Sequence, residues 1–599
     1  MTVNTNSPNP GIWSRSTAVA LGVGLSLGLI YFVHGFWPLL FAKLAGGFLL
    51  ALLWLLVGAI FRRGFRWFVS RRALRFHGCV TAGVVSLIVL FYVEEGWRGK
   101  RAWTALQREL AARGEKLDLA SATPPPVPDD QNLAMAHVMA RLLNYETNSS
   151  GQVRMGSGRS AEAPSLRRLR FGGPDSRDMP QATWTRQEFT DLTAWQAYYR
   201  RAYETSRWSV KSNRFVRMPT EPQFPVAAEA QAPARDVLLA LSKFDAVLDE
   251  LARAAAERPL ARYPHAYELG NFAQGHTQWI LRDVAQVLRL RAVARLHEGQ
   301  IEAAFADVEL AFRLADSPRH EPWLRSHVAF RHAMLTDALQ PVWEALARHQ
   351  WTEPQLAALQ QHLAQLNLLA EQAVVLRGET AMWVDWIRYV RQLATGRANK
   401  FHALRGEPQD FGEKFWLFVI RRFYPLGWLY QDEVLTYRIL HPPDASAGSR
   451  GRAAGPDLTE IMDPFFVIFM VPRLREVRDW TASKFPYFQT LMNQATIACA
   501  LERYRAAHGE FPENLELLTP AFLPEVPQDV ASGQPFRYRR TADGQFVLYA
   551  IGSDGVDNGG RPAKVEFDWK GSLGGQSGPG DWVWSYPASP RSPSEAQPR

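Results

Sequence analysis

His265, Glu268 and His276 bring two imidazoles and a carboxylate into one predicted helical region. Such a set could hold a metal ion or exchange protons. Their spacing matches no zinc-hydrolase motif, in which two histidines four apart frame a glutamate on one helix face, so packing histidines are the competing account. The chain carries no G-x-S-x-G elbow, no G-x-x-x-x-G-K phosphate loop and no G-x-G-x-x-G dinucleotide loop. Gly156-Ser157-Gly158 has no strand before it and reads as a connector. Asp129-Asp130, following a proline run, are placed to cap the next helix rather than to do acid–base work. Only two cysteines occur, Cys79 in an apolar run and Cys499 in a predicted helix, a pairing unsuited to a structural disulfide.

The elements that position these residues begin with three apolar runs, Ala18 to Val33, Leu39 to Phe61 and Gly78 to Val93. A bilayer core takes roughly 20 apolar residues per crossing. The second run reaches that length, interrupted only by Lys43, which can snorkel to the interface; the other two are shorter and borrow flanking aromatics. The expectation is a membrane anchor over 17–95, with helices at about 18–36, 38–61 and 76–95. Arg62 to Arg75 holds six arginines and no acidic residue, the bias of a cytoplasmic loop. His34 to Pro38 has no Lys or Arg and suits a turn on the far side, which leaves the N-terminal tail (1–16) cytoplasmic and sends everything after Val93 to the periplasm. Arg98, Lys100, Arg101 and Arg108, just past the third run, pull the other way. A cleavable signal would need small residues after the first run, whereas His34, Phe36, Trp37 and Pro38 follow it.

A chain of 599 residues exceeds one core, and about two to four folded units are expected beyond the anchor. The formal charge of +9 is carried largely by Arg, with its densest cluster against the membrane. Anionic lipid headgroups account for that cluster, and nucleic acid is not expected as a partner.

Past the anchor, Trp97 to Ala112 reads as a helix with Trp103, Leu106 and Leu110 on one face, ending near Gly114. Membrane-proximal helices and linkers occupy 96–234, including a predicted helix from Gln131 to Tyr145 and loops at Asn148 to Pro180 and Pro219 to Pro233. A helical domain spans 235–480, with breaks expected at Pro259, Gly299, Pro318, Pro341 and Pro354. Ala294 to Ala311 resembles one tetratricopeptide hairpin, with Gly299 in the turn and Ala304, Val308 and Ala311 at packing positions. A solenoid needs about three such units, so an irregular bundle with one similar hairpin is the alternative. Phe411 to Leu440 and Pro464 to Val471 are aromatic-rich and suit either a core or an interfacial contact.

In the last part, 481–587, Lys484 to His508 carries apolar residues three or four apart and stops at Gly509 and Pro512. A short helix at Pro512 to Leu518, a hairpin of Phe536 to Arg540 and Phe546 to Gly552 across Asp543-Gly544, and a third strand at Asp581 to Tyr586 follow. Residues 588–599 read as a disordered tail.

The stretch ALERYRAAHGEFPENLELLTP, with LPEVPQD, SGQPFRYRR, FVLYAIGSDGVDNGG and GDWVWSYP after it, resembles the globular domain of the major pseudopilins of type II secretion systems. The whole chain also resembles uncharacterised multi-domain bacterial membrane proteins that end in this module. The pseudopilin resemblance covers about 100 residues and implies a calcium ion held at Asp554, Asp557 and Asp581, whose carboxylates suit a hard cation. Asp-Gly and Asn-Gly pairs also build ordinary turns. Pseudopilins start with a basic leader and an apolar helix; here the module is C-terminal without that signal, so filament assembly is not implied.

The fold expected is therefore mainly α with a small α+β C-terminal module: three N-terminal transmembrane helices, a large helical domain, then one long helix on a three-stranded antiparallel sheet. The function expected is an inner-membrane scaffold or binding module for an unknown protein partner. A membrane-tethered hydrolase using His265, Glu268 and His276 is the alternative.

Overall fold

A computed structural model describes residues 71–143, 145–147, 153–155, 179–180, 182–201, 204–209, 214–219, 224–265, 267, 279–324, 326–395, 418, 424–441, 471–530, 532–552, 554–563 and 579–587. The apolar runs Ala18 to Val33 and Leu39 to Phe61 lie outside them, as do Glu268, His276, most of Pro464 to Val471 and the tail. Two compact units divide the chain, one holding residues up to Glu95 and the other nearly everything from Gly96 onward.

The third apolar run lies in one uninterrupted helix, α1 (Arg71–Ala112), where two separate helices were expected. Among the described residues it is the one helix long and apolar enough to cross a membrane. Gly114, at φ +72°, ends it as expected, with Gly114 N–H donating to Ala111 O and Glu115 N–H to Leu110 O. Trp103, Leu106 and Leu110 are buried together with Val384, Val434 and Tyr437.

The second unit is mainly helical. After α2 (His137–Leu143), α3 (Leu192–Arg200), α4 (Pro233–Leu241) and α5 (Asp245–Glu257) come α6 (Trp279–His297) and α7 (Ile301–Asp316). Gly299, at φ +71°, makes the α6–α7 turn, and Ala304, Val308 and Ala311 are buried, as the tetratricopeptide-like pattern requires. Asp307 adds what the pattern lacks: it is buried and takes Arg291 and Arg295 of α6 at 2.5 and 2.7 Å. Helix α8 (His332–Ala347) packs on both arms of the hairpin, but α9 (Glu353–Ala364) packs chiefly on a helix 100 residues further along, α12 (Val471–His508), so the arrangement becomes irregular. Helices α10 (Leu368–Ala394) and α11 (Leu426–Leu440) complete the bundle.

Three local expectations fail. Pro341 lies inside α8 instead of ending it; an interior proline costs about 3 kcal/mol in an isolated helix, and here nearly every α8 side chain is buried. Asp129 and Asp130 cap nothing. Asn132 does, accepting Ala134 N–H, before the short helix α2 that replaces the longer one expected from Gln131. Strands also appear where none was read: β2 (Val153–Met155), inside the first region read as a loop, pairs with β1 (Tyr145–Thr147) just before it, and β3 (Glu204–Ser209) pairs with β4 (Arg214–Pro219) ahead of the second.

The C-terminal strands appear where the sequence places them. Strands β5 (Arg537–Arg540), β6 (Phe546–Ala550) and β7 (Trp582–Ser585) form an antiparallel sheet in that order, with Gly544 at φ +77° in the hairpin turn. Leu515–Leu518 is a 3-10 turn. The helix beneath them differs from the amphipathic one expected over Lys484 to His508. It starts at Val471, passes through Pro486 and is buried on every side from Leu491 to Met492 and from Gln494 to Glu502. One side faces the sheet and the others face α9, α10 and α11, so the module shares its core with the helical domain.

Candidate functional site

A group of buried ionisable side chains lies in the segment joining α7 to α8, Ser317 to Arg331, and in α10 beside it. Helix α10 approaches this segment closely because residue 378 is glycine; a Cβ there would lie 2.0 Å from Pro322 O. Leu324 N–H donates to Glu379 Oε1 at 2.9 Å, fixing the crossing. The chain then makes a π-helical turn, Ser326–Arg331, whose wider pitch inserts an extra residue and turns both His327 and Arg331 inward.

Arg331 is fully buried. Its Nε and Nη2 donate to the two oxygens of Glu371 at 2.8 Å each, and its Nη1 donates to Ala315 O at 2.6 Å and Asp316 Oδ1 at 2.8 Å. This bidentate geometry is what makes a buried pair tolerable. His327 brings Nδ1 within 3.3 Å of Glu371 Oε2 and Nε2 within 2.8 Å of Glu321 O. Burial alone would raise the Glu371 carboxyl; the contact from His327 and the Arg331 guanidinium overcome it and hold the group down at about 2. His332 follows, packed on the rings of Phe485 and Phe488 from α12, and burial keeps it uncharged.

Beside this network sits an aromatic box. Tyr263, His265, Tyr267 and Trp323 surround Glu321, with the His265 ring 5.2 Å from Trp323 and 5.6 Å from Tyr267. Tyr267 Oη donates to Glu321 Oε1 at 2.7 Å, and Tyr263 Oη lies 2.6 Å from Ser317 Oγ. His265 Nε2 is 3.6 Å from Glu321 Oε2, close enough to look like an ion pair. Burial argues otherwise, raising Glu321 to about 8 and lowering His265 to about 3, so at neutral pH the two face each other uncharged. Chemically this is a proton donor beside a proton acceptor, but both side chains are only 2% exposed and the rings touch. The arrangement ties residues 261–267 to 317–324. Of the sequence-predicted trio, His265 is thus placed in this box, and Glu268 and His276 lie outside the described residues.

Glu321, His327, Arg331 and Glu371 are missed by motif reading. One signal was present: His320, His327 and His332 fall within thirteen residues of a chain that has 14 histidines in 599.

Of the resemblance-derived residues, Asp554 and Asp557 follow β6 and Asp581 immediately precedes β7. Asp581 is buried; its oxygens accept Asn558 N–H at 3.2 Å and Gly560 N–H at 2.7 Å. Asp554 accepts Val556 N–H and Gly580 N–H, both at 3.0 Å, and Asn558 Nδ2 at 3.2 Å. The backbone donation from Val556 is the first reason its carboxyl is held below the usual range. Asp557 turns to Arg537, 2.7 Å away, and accepts Gly559 N–H at 2.9 Å. Asp554 and Asp581 are therefore brought together through Asn558, while Asp557 is drawn to a guanidinium. Among the described residues no group of three or more His, Cys, Asp or Glu is arranged to hold a metal ion. In this arrangement Asp554 and Asp581 accept turn N–H groups and Asp557 pairs with Arg537. Melting the full-length protein with calcium and with a chelator should give equal midpoints. A bound ion at a hundredfold excess over its dissociation constant would add about 2.7 kcal/mol, and a calcium-dependent rise lost in Asp554→Ala would establish the site instead.

Comparison with family models, with curated proteins and with solved structures finds no match to this chain.

Proposed function

We propose that the protein is a scaffold anchored in a bacterial inner membrane, presenting its helical domain and pseudopilin-like module to the periplasm for contact with a protein partner. The observation that carries this reading is the apolar part of α1. Leu87 to Val93 are seven consecutive apolar residues, all open, from 38% exposed at Tyr92 to 68% at Leu87. Seven successive helical positions point in every direction round the axis, so a surround of lipid covers them where a single protein face would not. Ala18 to Val33 and Leu39 to Phe61 supply two further crossings in this reading. The N-terminus and the Arg62 to Arg75 cluster then lie on the cytoplasmic side, against anionic headgroups. Helices α6 to α9 offer the broad surfaces that helical arrays use for binding. The hydrolase alternative gains no support from His265, which is closed in with Glu321 and aromatic rings.

Alkaline phosphatase fused after Leu119 is expected to be active, because its disulfides form only in an oxidising compartment. An inactive fusion at that position, together with a fluorescent cytoplasmic reporter at the same point, would reverse the topology.

A further inference from the structure

Arg98, Lys100, Arg101 and Arg108 follow the apolar part of α1 and, in the topology proposed above, oppose the charge bias that orients the chain. They are not equivalent on the helix. Gly99, Trp103, Leu106 and Leu110, spaced four, three and four residues apart, form the buried face that α10 and α11 cover. Trp97, Arg101 and Arg108 lie on the opposite face and are exposed, with Lys100 exposed beside them and Arg98 half-buried at the edge. The Arg101 guanidinium sits over the Trp97 ring at 5.2 Å, and neither Lys100 nor Arg101 has a carboxylate partner among the described residues. The start of α11 is held at the same level of α1. A Cβ on Gly99 would lie 2.1 Å from Gly427 O, and Leu426, the residue before, is 40% exposed. All of these residues belong to the second unit.

We propose that Trp97, Arg98, Lys100 and Arg101 of α1, with Leu426 of α11, form a docking surface for the headgroups of anionic phospholipids in the leaflet through which α1 leaves the bilayer. The proposal rests on reading α1 as a membrane crossing. At about 1.5 Å of rise per residue, positions 97 to 101 lie about 6 to 12 Å beyond Val93, and a headgroup layer is about 5 to 8 Å deep on each side of the hydrocarbon. Trp97 and Arg98 fall inside that layer. Lys100 and Arg101 stand at its outer edge, on stems long enough to lower their charge into it.

The chemistry of the surface matches the layer. An indole with one polar edge is favoured at the boundary of hydrocarbon and water, and Trp97 is 60% exposed there. Leu426 offers an apolar side chain at the same depth. Glu94, next to Val93, subtracts one exposed charge, whereas Glu95 is only 4% exposed; Arg98, Lys100 and Arg101 then follow within six residues, so the phosphate of an anionic headgroup is the complementary partner. Arg108, about 22 Å beyond Val93 by the same rise, is out of reach. Of the aromatic-rich segment Phe411 to Leu440, Leu429, Val434, Tyr437 and Leu440 thus serve the core and Leu426 the membrane surface.

The test is photolabelling of the full-length protein in lipid nanodiscs that carry a trace of photoreactive phosphatidylglycerol or of photoreactive phosphatidylcholine, with labelled peptides located by mass spectrometry. Label from both lipids in Leu87 to Val93 reports the crossing itself. At 97–101 and at Leu426 the phosphatidylglycerol label should exceed the phosphatidylcholine label. Lys100→Gln/Arg101→Gln should lower that ratio toward one, by about fivefold for each charge removed. Arg108→Gln should leave it unchanged, and neither variant should alter the labelling of Arg62 to Arg75. Label in Leu87 to Val93 with a wild-type ratio near one at 97–101, or a ratio that the double variant does not lower, overturns the proposal and leaves the crossing standing. Absence of label from Leu87 to Val93 overturns the crossing and the proposal with it. Should the double variant not fold, Lys100→Gln alone must lower the ratio, and an unlowered ratio overturns the proposal equally.

Discussion

Arg331→Met is expected to lower the stability of the full-length protein by about 3–5 kcal/mol, the cost of leaving buried charge without its partner. The side chain is 1% exposed, and its removal leaves Glu371 and Asp316 without the guanidinium, beside His327 at 3.3 Å and His362 at 3.6 Å. The effect should depend on pH in a definite sense. Glu371, held at about 2 in the folded chain against roughly 4.5 when unfolded, contributes stability that is complete above about pH 4.5 and lost as pH falls toward 2. Without Arg331 the guanidinium's share of that contribution is absent at any pH. The gap between wild type and variant, read from denaturant unfolding in detergent, should therefore be widest near neutrality and narrow toward pH 3. A difference below about 1 kcal/mol at neutral pH, or one that does not change on acidification, would show that the network does not hold the α7–α8 segment.

Trp343→Ala should cost about 3–5 kcal/mol, because the indole is wholly buried. It joins the helical domain to the C-terminal sheet: Nε1–H donates to Ser585 O at 3.2 Å, and the ring packs on Tyr586 at 5.5 Å and Phe189 at 4.9 Å. Close by, the Trp184 ring packs on Trp584 at 4.9 Å, tilted by 48°. If the two regions share one core, the substitution should destabilise both together, and limited proteolysis should cut the sheet and the α6–α9 helices at the same denaturant concentration. Trp343→Phe should retain most of the packing and lose about 1 kcal/mol with the hydrogen bond. Separate cleavage midpoints would mean that the module folds by itself.

What the sequence determined alone is local in origin. Gly114, Gly299, Gly509 and Gly544 all adopt positive φ, the conformation that ends a helix or closes a hairpin at no cost only for glycine, so these boundaries are legible without partners. Strands β5, β6 and β7 and the helical spacing of Trp103, Leu106 and Leu110 rest on short periodicities and were readable for the same reason. Asp554 and Asp581 meet through Asn558, and neither that meeting nor the pairing of Asp557 with Arg537, twenty residues earlier, was visible. Only tertiary structure decided the rest. Arg331 finds Asp316 fifteen positions away and Glu371 forty away, through a π turn whose extra residue leaves no motif. Helix α12 carries the spacing of an amphipathic helix, yet long-range packing covers its remaining faces with α9, α10 and α11. Local rules report what one segment can do by itself, whereas burial, and with it the shifts of Glu321, His265 and His332, depends on which distant segments arrive to exclude water.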